Sequence, residues 1–292
     1  MKTLTVFTPT FNRAELLSVL YESLCLQTSK DFLWLIIDDG STDETKELVE
    51  KWKNENRIEI KYVYKENGGM HTGHNTAYSM IETELNVCID SDDYMPDDAV
   101  EIIIDFWNQN ADEKYAGILG LDIYQNGERV SNKDFPEGVK SGKYYELRGK
   151  YGLIGDIKFV YRTAVIRKYP EYPVFQGEKL TPLGYKYLLI DQDYEMLFLN
   201  KALCVVEYQP DGSSKNIVSQ YLKNPNGFLQ ERKVRMKLAY SFWERFTNSV
   251  HYVSCCLILK KWNIFKESTN LPMTILAAPF GIVLYFYLKL KK

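Results

Sequence analysis

The alternation of short apolar runs with amphipathic segments over the first 110 residues constrains the fold of this chain more than any other feature. Thr3–Thr8, Phe32–Ile37 and Leu85–Ile89 are predicted strands, and the continuous apolar run of Phe32–Ile37 is typical of a strand buried on both faces. Between the first two runs, apolar residues recur at helical spacing at Leu16, Leu17, Leu20 and Leu24. The pattern predicts an α/β fold with a mostly parallel sheet flanked by helices.

The charge balance and the cysteines indicate the partners and the compartment. The net charge is −3 at pH 7, whereas nucleic-acid-binding domains are usually strongly basic, so no nucleic acid partner is expected. The five cysteines fall at no metal-binding or disulfide spacing, which favours reduced thiols in a cytosolic compartment. The first residues lack the long apolar region and cleavage site of a secretory signal, so the body of the protein is expected inside the cell.

Two acidic clusters follow predicted strands. Asp38-Asp39-Gly40-Ser41-Thr42-Asp43 comes after the second strand, and Asp90-Ser91-Asp92-Asp93 comes after the strand at Leu85–Ile89. Parallel sheets bind ligands beyond the carboxyl ends of their strands, which is where both clusters are expected. A carboxylate in the first cluster suits the imide hydrogen of a pyrimidine base. Alone, that segment is equally typical of a strand-to-helix turn, with Ser41 and Glu44 as a capping box.

The second cluster places three carboxylates within four residues, which is costly at a buried strand end unless a cation compensates them. Hard oxygen ligands suit Mg²⁺ or Mn²⁺, which bind through one or two carboxylates plus substrate phosphates. Such an ion neutralises a nucleotide diphosphate leaving group. An exposed acidic loop is the alternative for this segment alone.

A glycine-rich stretch, Asn67-Gly68-Gly69-Met70-His71-Thr72-Gly73-His74-Asn75, lies between the two clusters. Paired glycines before a helix permit close approach of the backbone to a phosphate or ribose. A zinc site at His71 and His74 is disfavoured, because no further ligands are apparent in the sequence.

Together with Pro9-Thr10-Phe11-Asn12-Arg13, these stretches in this order and spacing resemble glycosyltransferase family two, the inverting GT-A enzymes. The resemblance covers residues 3 to 105. It implies a Rossmann-like GT-A domain, a nucleotide-diphosphate sugar donor (usually UDP-linked) and a divalent ion, Mn²⁺ or Mg²⁺. By position, Asp39, with Asp38, is expected to bind the base, and Asp92 the metal, with Asp90 near the ribose or metal. The donor-binding residues expected from the matching motifs are Thr8, Pro9, Thr10, Asn12, Arg13, Asp38, Asp39, Asn67, Gly68, Gly69, Asn75, Asp90 and Ser91.

Inverting transfer also needs a general base that deprotonates the attacking hydroxyl. In this family the base is a carboxylate of the second half, often in a Glu-Asp pair that opens a helix, and this sequence departs from that pattern. The candidates are Glu178 in Gly177-Glu178-Lys179 and Asp191 in Asp191-Gln192-Asp193. The Gly-Glu-Lys segment, with Gly155-Asp156 and Asp211-Gly212, resembles a subgroup associated with bacterial capsule and surface polysaccharides. That likeness ranks Glu178 first as the base and Asp191 second.

The C-terminal region is basic and then apolar. No charged residue occurs from Leu271 to Leu288, a length at the lower edge of what spans a bilayer, and three lysines follow. Pro272, Pro279 and Gly281 argue against one straight spanning helix. We expect membrane attachment at the cytoplasmic face, either spanning or in the interface, with a hydrophobic helix packed on the domain as the alternative. The predicted domains are residues 1–225, catalytic, and 226–292, membrane-associating.

These features predict an inverting, metal-dependent transferase that moves a hexosyl or N-acetylhexosaminyl group onto a lipid-linked saccharide during surface polysaccharide synthesis. A catalytically inactive membrane-bound scaffold of the same fold stays an alternative, because the Glu-Asp pair is missing. A sugar nucleotidyltransferase is disfavoured, since the turn from Thr8 to Arg13 has no glycine and a single cation. The basic C-terminal helices are also suited to pairing with another copy of the chain, as a homo-oligomer.

Overall fold

The structure is a computed structural model that describes residues 2–207, 217–239 and 241–290. Asp211-Gly212 and the last two lysines, which the sequence analysis used, lie outside the described residues. The strands of the described ranges are β1 (Leu4–Thr10), β2 (Phe32–Asp38), β3 (Ile60–Tyr64), β4 (Leu85–Cys88), β5 (Tyr115–Ile123), β6 (Ser141–Gly142), β7 (Ile157–Arg162) and β8 (Glu195–Val205). The helices of the same ranges are α1 (Ala14–Leu26), α2 (Thr45–Glu55), α3 (Met70–Met80), α4 (Ala99–Asn110), α5 (Tyr144–Gly149), α6 (Thr163–Ile166), α7 (Gly184–Ile190), α8 (Ile217–Lys223), α9 (Pro225–Leu238), α10 (Phe242–Ile258) and α11 (Leu271–Leu290).

The described strands form one sheet in the order β3-β2-β1-β4-β7-β5-β8-β6. Strands β3, β2, β1 and β4 pair in parallel, and so do β5 and β8. Strand β7 lies antiparallel between β4 and β5, and β6 pairs antiparallel with β8. The prediction of a mostly parallel α/β sheet is therefore confirmed, with an antiparallel strand inserted at its centre.

The core on one side of the sheet follows from the predicted helical spacing. Leu17, Leu20 and Leu24 of α1 are fully buried against the sheet, and each such side chain stabilises the fold by about 1.5–3 kcal/mol. Beside them, the rings of Tyr21 and Trp52 stack with centroids 4.4 Å apart. This packing holds α1 and α2 on the sheet, so the loops that precede both helices are fixed at its carboxyl edge.

The start of α2 differs from the predicted capping box. The helix begins at Thr45, and Glu44 precedes it without any side-chain cap. Asp43 accepts hydrogen bonds from the Thr45 N–H (3.2 Å) and hydroxyl (2.6 Å), while the Ser41 hydroxyl accepts the N–H of Asn12 instead. The prediction of a Ser41–Glu44 capping box is wrong, because the loop after β1 uses the hydroxyl that the box would need.

The chain divides into two compact units. Unit one comprises Met1–Pro170 and Ile190–Gln209, and it contains the whole sheet. Unit two comprises Glu171–Leu189 and Pro210–Lys292, and it contains α8 to α11.

Within unit two, α10 packs along α11. Gly281 of α11 lies against α10 so closely that a Cβ at this position would fall 2.5 Å from the Cβ of Val253. Pro279 lies inside α11. In the described part of the chain, α11 alone has the length and apolar composition needed to cross a membrane.

Candidate active site

The carboxyl ends of β1, β2 and β4 meet at one edge of the sheet. Thr10, the last residue of β1, lies opposite Asp38, the last residue of β2. On the other side of β1, the N–H of Ile89 donates to the carbonyl of Phe7, which continues the pairing with β4 to the start of the second acidic cluster. Because β1 lies between the other two strands, both acidic clusters emerge at the same edge.

Asp38 is a buried carboxylate with a partner on each oxygen. Its Oδ1 accepts the N–H of Ser41 at 2.7 Å, and its Oδ2 accepts the hydroxyl of Tyr62 at 2.6 Å. Burial and this hydrogen bond raise the pKa of Tyr62, so the phenol remains the donor. The carboxylate of Asp38 therefore shapes the turn after β2.

Asp39, also buried, ties the first cluster to the glycine-rich stretch. Its Oδ1 accepts Lys65 Nζ at 2.5 Å and the N–H of Gly68 at 2.9 Å, and its Oδ2 accepts the N–H of Gly69 at 2.7 Å. A Cβ on Gly68 would lie 2.6 Å from the Thr72 hydroxyl, which explains the glycine. The N–H groups of the glycine pair thus bind a carboxylate of the chain itself.

Two asparagines of the predicted donor site lie in the same region. The Asn67 side-chain amide donates to the carbonyl of Asp39 at 2.8 Å, which adds a further bond between the two loops. Asn75 is half-buried on α3, six residues beyond Gly69.

The predicted donor residues of β1 have different environments. Thr8 is buried, and its hydroxyl accepts the indole N–H of Trp34 at 3.0 Å, so its side chain belongs to the core. Pro9 is buried and packs against Gly73 of α3. Thr10 differs from both, because its buried hydroxyl has no hydrogen-bond partner among the described residues. A buried hydroxyl normally finds a partner, so Thr10 marks a place where a ligand could supply one.

The loop after β1 is bound to the loop after β2. The N–H of Asn12 donates to the Ser41 hydroxyl at 2.9 Å, and Asn12 Oδ1 accepts the N–H of Thr42 at 2.8 Å. Asn12 adopts a left-handed backbone (φ 51°), which asparagine tolerates better than most residues. The N–H of Ala14 also donates to Asp43 Oδ2 at 3.1 Å.

Arg13 links the first loop to the second acidic cluster. Its Nη1 lies 3.0 Å from Asp92 Oδ1 and donates to the Ser91 hydroxyl at 3.3 Å. The side chains of Arg13 and Asp92 are 36% and 17% exposed, so this ion pair is open to solvent on one side. The carboxylate of Asp92 is therefore within reach of a cation at the mouth of the site.

The other two carboxylates of the second cluster are more deeply placed. Burial raises the pKa of Asp90, and the charge of Lys158 opposes that shift. Burial also raises the pKa of Asp93 to about 7, while its Oδ1 accepts the N–H of Glu207 at 3.2 Å. The cluster thus has one outer carboxylate, Asp92, and two inner carboxylates, Asp90 and Asp93. The negative charge of the inner pair is stabilised by the positive charge of Lys158.

Lys158 of β7 and Asp122 of β5 form a buried ion pair that the sequence analysis missed. Their charged groups lie 3.6 Å apart, and the side chains are only 12% and 4% exposed. Burial raises the pKa of Asp122 to about 6 despite this pair. Burial lowers the pKa of Lys158, but Asp122, Asp93 and Asp90 outweigh it and hold the pKa well above its usual value. The only signal in the sequence was a lysine within the apolar run Ile157–Tyr161.

The residues present fit a divalent ion that also binds a phosphate. Among the described residues, no three His, Cys, Asp or Glu side chains converge to hold a metal by themselves. Mg²⁺ and Mn²⁺ need only one or two carboxylates when a substrate phosphate supplies further oxygens. Asp92, with Asp90 beside it, provides that hard oxygen set, and Asp92 already attracts a cation in the form of Arg13.

Both candidate bases accept backbone N–H groups at helix starts, each within its own unit. In unit two, Glu178 Oε1 accepts the N–H of Asn226 at 2.9 Å, and Oε2 accepts that of Gly227 at 3.0 Å, in the first turn of α9. In unit one, Asp191 accepts the N–H groups of Tyr144 (2.5 Å) and Tyr145 (3.0 Å), where α5 begins. Burial raises the pKa of Asp191 to about 6, although these bonds lower it.

Solved structures share this fold. The Staphylococcus aureus TarS 1–349 structure in complex with UDP-GlcNAc has a TM-score of 0.58 at 18% identity, covering 99% of this chain and 90% of that one. The mannosyltransferase PcManGT from Pyrobaculum calidifontis, in complex with GDP-Man and Mn²⁺, has a TM-score of 0.57 at 15% identity and covers 98% and 81%. The expected GT-A architecture is thereby confirmed.

Curated relatives are also similar in sequence. The poly(ribitol-phosphate) beta-N-acetylglucosaminyltransferase TarS of S. aureus is 28% identical over 170 residues, 57% of this chain but only 29% of TarS. The GalNAc(5)-diNAcBac-PP-undecaprenol beta-1,3-glucosyltransferase of Campylobacter jejuni is 27% identical over 247 residues, 80% of this chain and 74% of the relative. The family model for glycosyl transferase family 2 matches residues 5–169, more than half of the chain. The chain therefore belongs to glycosyl transferase family 2.

Proposed function

We propose that the protein is an inverting glycosyltransferase that moves a sugar from a UDP-sugar to a lipid-linked saccharide in surface polysaccharide synthesis. The observation that supports this most is the meeting of Asp39, Thr10, Arg13 and Asp92 at one edge of the sheet. Ligands of such sheets bind there, and the family places a nucleotide-sugar donor at that edge. Relatives whose structures contain UDP and UDP-GlcNAc favour uridine over other bases.

The donor binds at the β1 and β2 ends in this proposal. The hydroxyl of Thr10 lacks a partner among the described residues, and the backbone of Thr10 adjoins Asp39 through the bond from the Asp39 N–H to the Thr10 carbonyl (2.8 Å). Arg13 supplies a guanidinium, which suits a diphosphate because its N–H groups bind phosphate oxygens in pairs.

Asp92, with Asp90, would hold a divalent ion, Mn²⁺ or Mg²⁺, together with the diphosphate of the donor. A bound divalent ion supplies positive charge that stabilises the diphosphate as a leaving group. Lys158 stays inside the cluster, where its ammonium opposes the rise that burial causes in the pKa values of Asp90 and Asp93. Arg13, 3.0 Å from Asp92, is close enough to bind a phosphate oxygen at the same place.

The general base is proposed to be Glu178, with Asp191 second. The N–H groups of Asn226 and Gly227 hold the carboxylate of Glu178 at the start of α9. Burial raises the pKa of Asp191 to about 6, close to cellular pH, which is a property that a general base needs. Glu178→Gln and Asp191→Asn test the two candidates by their effect on nucleoside diphosphate release. Urea unfolding of each variant shows whether a loss of activity comes from the missing base or from a destabilised helix start.

The acceptor and the location are proposed from the relatives and from α11. The C. jejuni relative acts, by its name, on a saccharide linked to PP-undecaprenol, which is a membrane lipid. An enzyme with such an acceptor works at the cytoplasmic face of the cell membrane. The apolar helix α11 gives this chain a segment suited to that surface.

The test is release of nucleoside diphosphate from a panel of UDP- and GDP-sugars with Mn²⁺ or Mg²⁺. We expect metal-dependent release from one donor, and Asp92→Asn should lower it at least 100-fold while leaving the unfolding curve unchanged. Asp97→Asn, an exposed carboxylate five residues further on, is the matched control and should retain full activity. Tight UDP binding without release, even with lipid-linked acceptors, would instead indicate the inactive scaffold, and near-normal turnover by Asp92→Asn would refute the metal assignment.

A further inference from the structure

One half of α11 presents a continuous apolar surface to solvent. No charge interrupts the sequence from Leu271 to Leu288. A 20-residue helix is about 30 Å long, so this surface is long as well as uncharged. We call it the apolar face of α11; its residues are Leu271, Ile275, Leu276, Pro279, Phe280, Ile282, Val283, Phe286, Tyr287 and Leu290, all exposed.

The other half of α11 is used for packing within unit two. Thr274, Ala277, Gly281 and Leu288 are buried. Gly281 permits contact with Val253 of α10. At the margin of the apolar face, the ring of Phe280 lies 5.2 Å from that of Phe246 of α10. Because α10 lies along α11, the two helices must enter any membrane together.

Spanning is therefore unfavourable. Helix α10 carries Glu244, Arg245 and His251, and its Asn248 binds Arg232 of α9 at 2.9 Å. If α11 crossed the bilayer, these groups would be drawn toward the hydrocarbon, where each charged side chain costs about 2.5–3.5 kcal/mol or more. A helix that lies in the interface buries its apolar half and leaves its neighbours in water.

Aromatic and basic residues flank the apolar face. Trp262 (79% exposed) and Phe265 lie in the loop before α11, and Trp243 (72% exposed) lies in the first turn of α10. Exposed lysines are found at both ends of α11, with Lys266 before it and Lys289 in its last turn. Tryptophan and lysine at the margins of an apolar surface are typical of contact with lipid headgroups, whereas lysine is depleted in protein–protein interfaces.

We propose that unit two docks on an anionic lipid bilayer with α11 parallel to the membrane plane and its apolar face inserted at the level of the headgroups. Lys266 and Lys289 then lie beside anionic headgroups, and α10 stays on the aqueous side. This inference rests on the membrane location proposed above and specifies that the segment lies in the interface.

Binding is measured first, by sedimentation of the full chain with phosphatidylcholine vesicles that contain or lack phosphatidylglycerol as the anionic lipid. We expect binding that requires the anionic lipid and weakens in 1 M salt, where the Debye length falls to about 3 Å. Val283→Glu should weaken binding about tenfold or more, because it puts a charge where the proposal inserts an apolar group into the membrane. Val19→Glu, at a similarly exposed valine on α1, is the matched control and should bind normally.

Orientation is measured second, by depth-dependent quenching with brominated lipids. In a background with Trp243→Phe and Trp262→Phe, one tryptophan at a time replaces Ile275, Phe280 or Phe286. The same background without the added tryptophan gives the fluorescence of the buried Trp34, Trp52 and Trp107, which is subtracted. A helix in the interface keeps all three shallow, with position 280 no deeper than the other two, whereas a spanning helix places position 280 deepest, which would overturn the proposal.

Two further outcomes also overturn it. One is the absence of vesicle binding; the other is a change of mass in solution on Val283→Glu, which would assign the apolar face to a second copy of the chain. UDP binding measured without vesicles on the same preparations reports on the proposed donor site separately, because the residues assigned to that site all lie in unit one.

Discussion

Replacing Lys158 by methionine should destabilise the protein in a way that depends strongly on pH. The ammonium of Lys158 lies 3.6 Å from Asp122, whose side chain is 4% exposed. Removing one partner of a buried ion pair usually costs about 3–5 kcal/mol. Here the cost is limited, because a carboxylic acid left without its cation can take up a proton instead.

The size of this free-energy cost follows from the pKa of Asp122. That pKa is already raised to about 6, above the unfolded value, so the folded protein loses stability as pH rises through about 6. Without Lys158 the folded pKa rises further, and the loss continues to higher pH. The added cost is about 1.4 kcal/mol per pH unit above 6, which gives roughly 1.4 kcal/mol at pH 7 and 2.7 kcal/mol at pH 8. At pH 5 the variant and the parent should be nearly equal.

Urea unfolding at pH 5, 6, 7 and 8 in the presence of a chelator measures this difference. The double variant Lys158→Met with Asp122→Asn should recover most of the stability at pH 8, because no buried carboxylate remains to be protonated at this position. Lys51→Met on the exposed side of α2 is the control for removal of a lysine and should have little effect. A loss that is the same at every pH, or no recovery in the double variant, would refute the reasoning.

Two further predictions concern unit two. Burial, with the charge of Arg232, lowers the pKa of His251 to about 4, so stability should fall by about 1.4 kcal/mol per unit as pH drops from 6.5 to 4. Unfolding of the parent against His251→Gln measures this, and parallel pH curves would contradict it. Gly281→Val should lower the free energy of unfolding by about 1–3 kcal/mol, because the new Cβ would lie 2.5 Å from that of Val253. Thermal unfolding measures this, with Leu276→Val on the exposed face as the control. An equal loss of stability in both variants would contradict the packing of Gly281 on α10.

Much of unit one was predictable because the sequence patterns that define its strands and acidic clusters lie within short segments of the chain. The strand before Asp38 is a continuous apolar run and the strand before Asp90 is mostly apolar, and the rule that parallel strands end at one edge places both clusters together. The pair of Lys158 with Asp122 was not predictable in this way. It depends on β7 lying antiparallel between β4 and β5, and pairing between strands this far apart in sequence is not encoded in either strand alone.

For the helices of unit two, the sequence did not predict which side of each helix is packed. Helix α11 is apolar on every side, so its sequence gave no periodicity to separate the packed half from the exposed half, and only Gly281 marked the packed side. For the candidate bases, the sequence did not predict the hydrogen-bond partners. Glu178 and Asp191 were found by motif, but the backbone N–H groups that they accept belong to segments distant in sequence.

The bonds between the loops after β1 and β2 have a consequence for recombination between related enzymes. Asn12 donates to Ser41 and accepts from Thr42, and the N–H of Ala14 donates to Asp43. Each loop therefore depends on side chains of the other for its shape. A chimaera that exchanges one loop alone would disrupt these bonds, whereas one that exchanges both would preserve them, so the two loops form a single inheritable module.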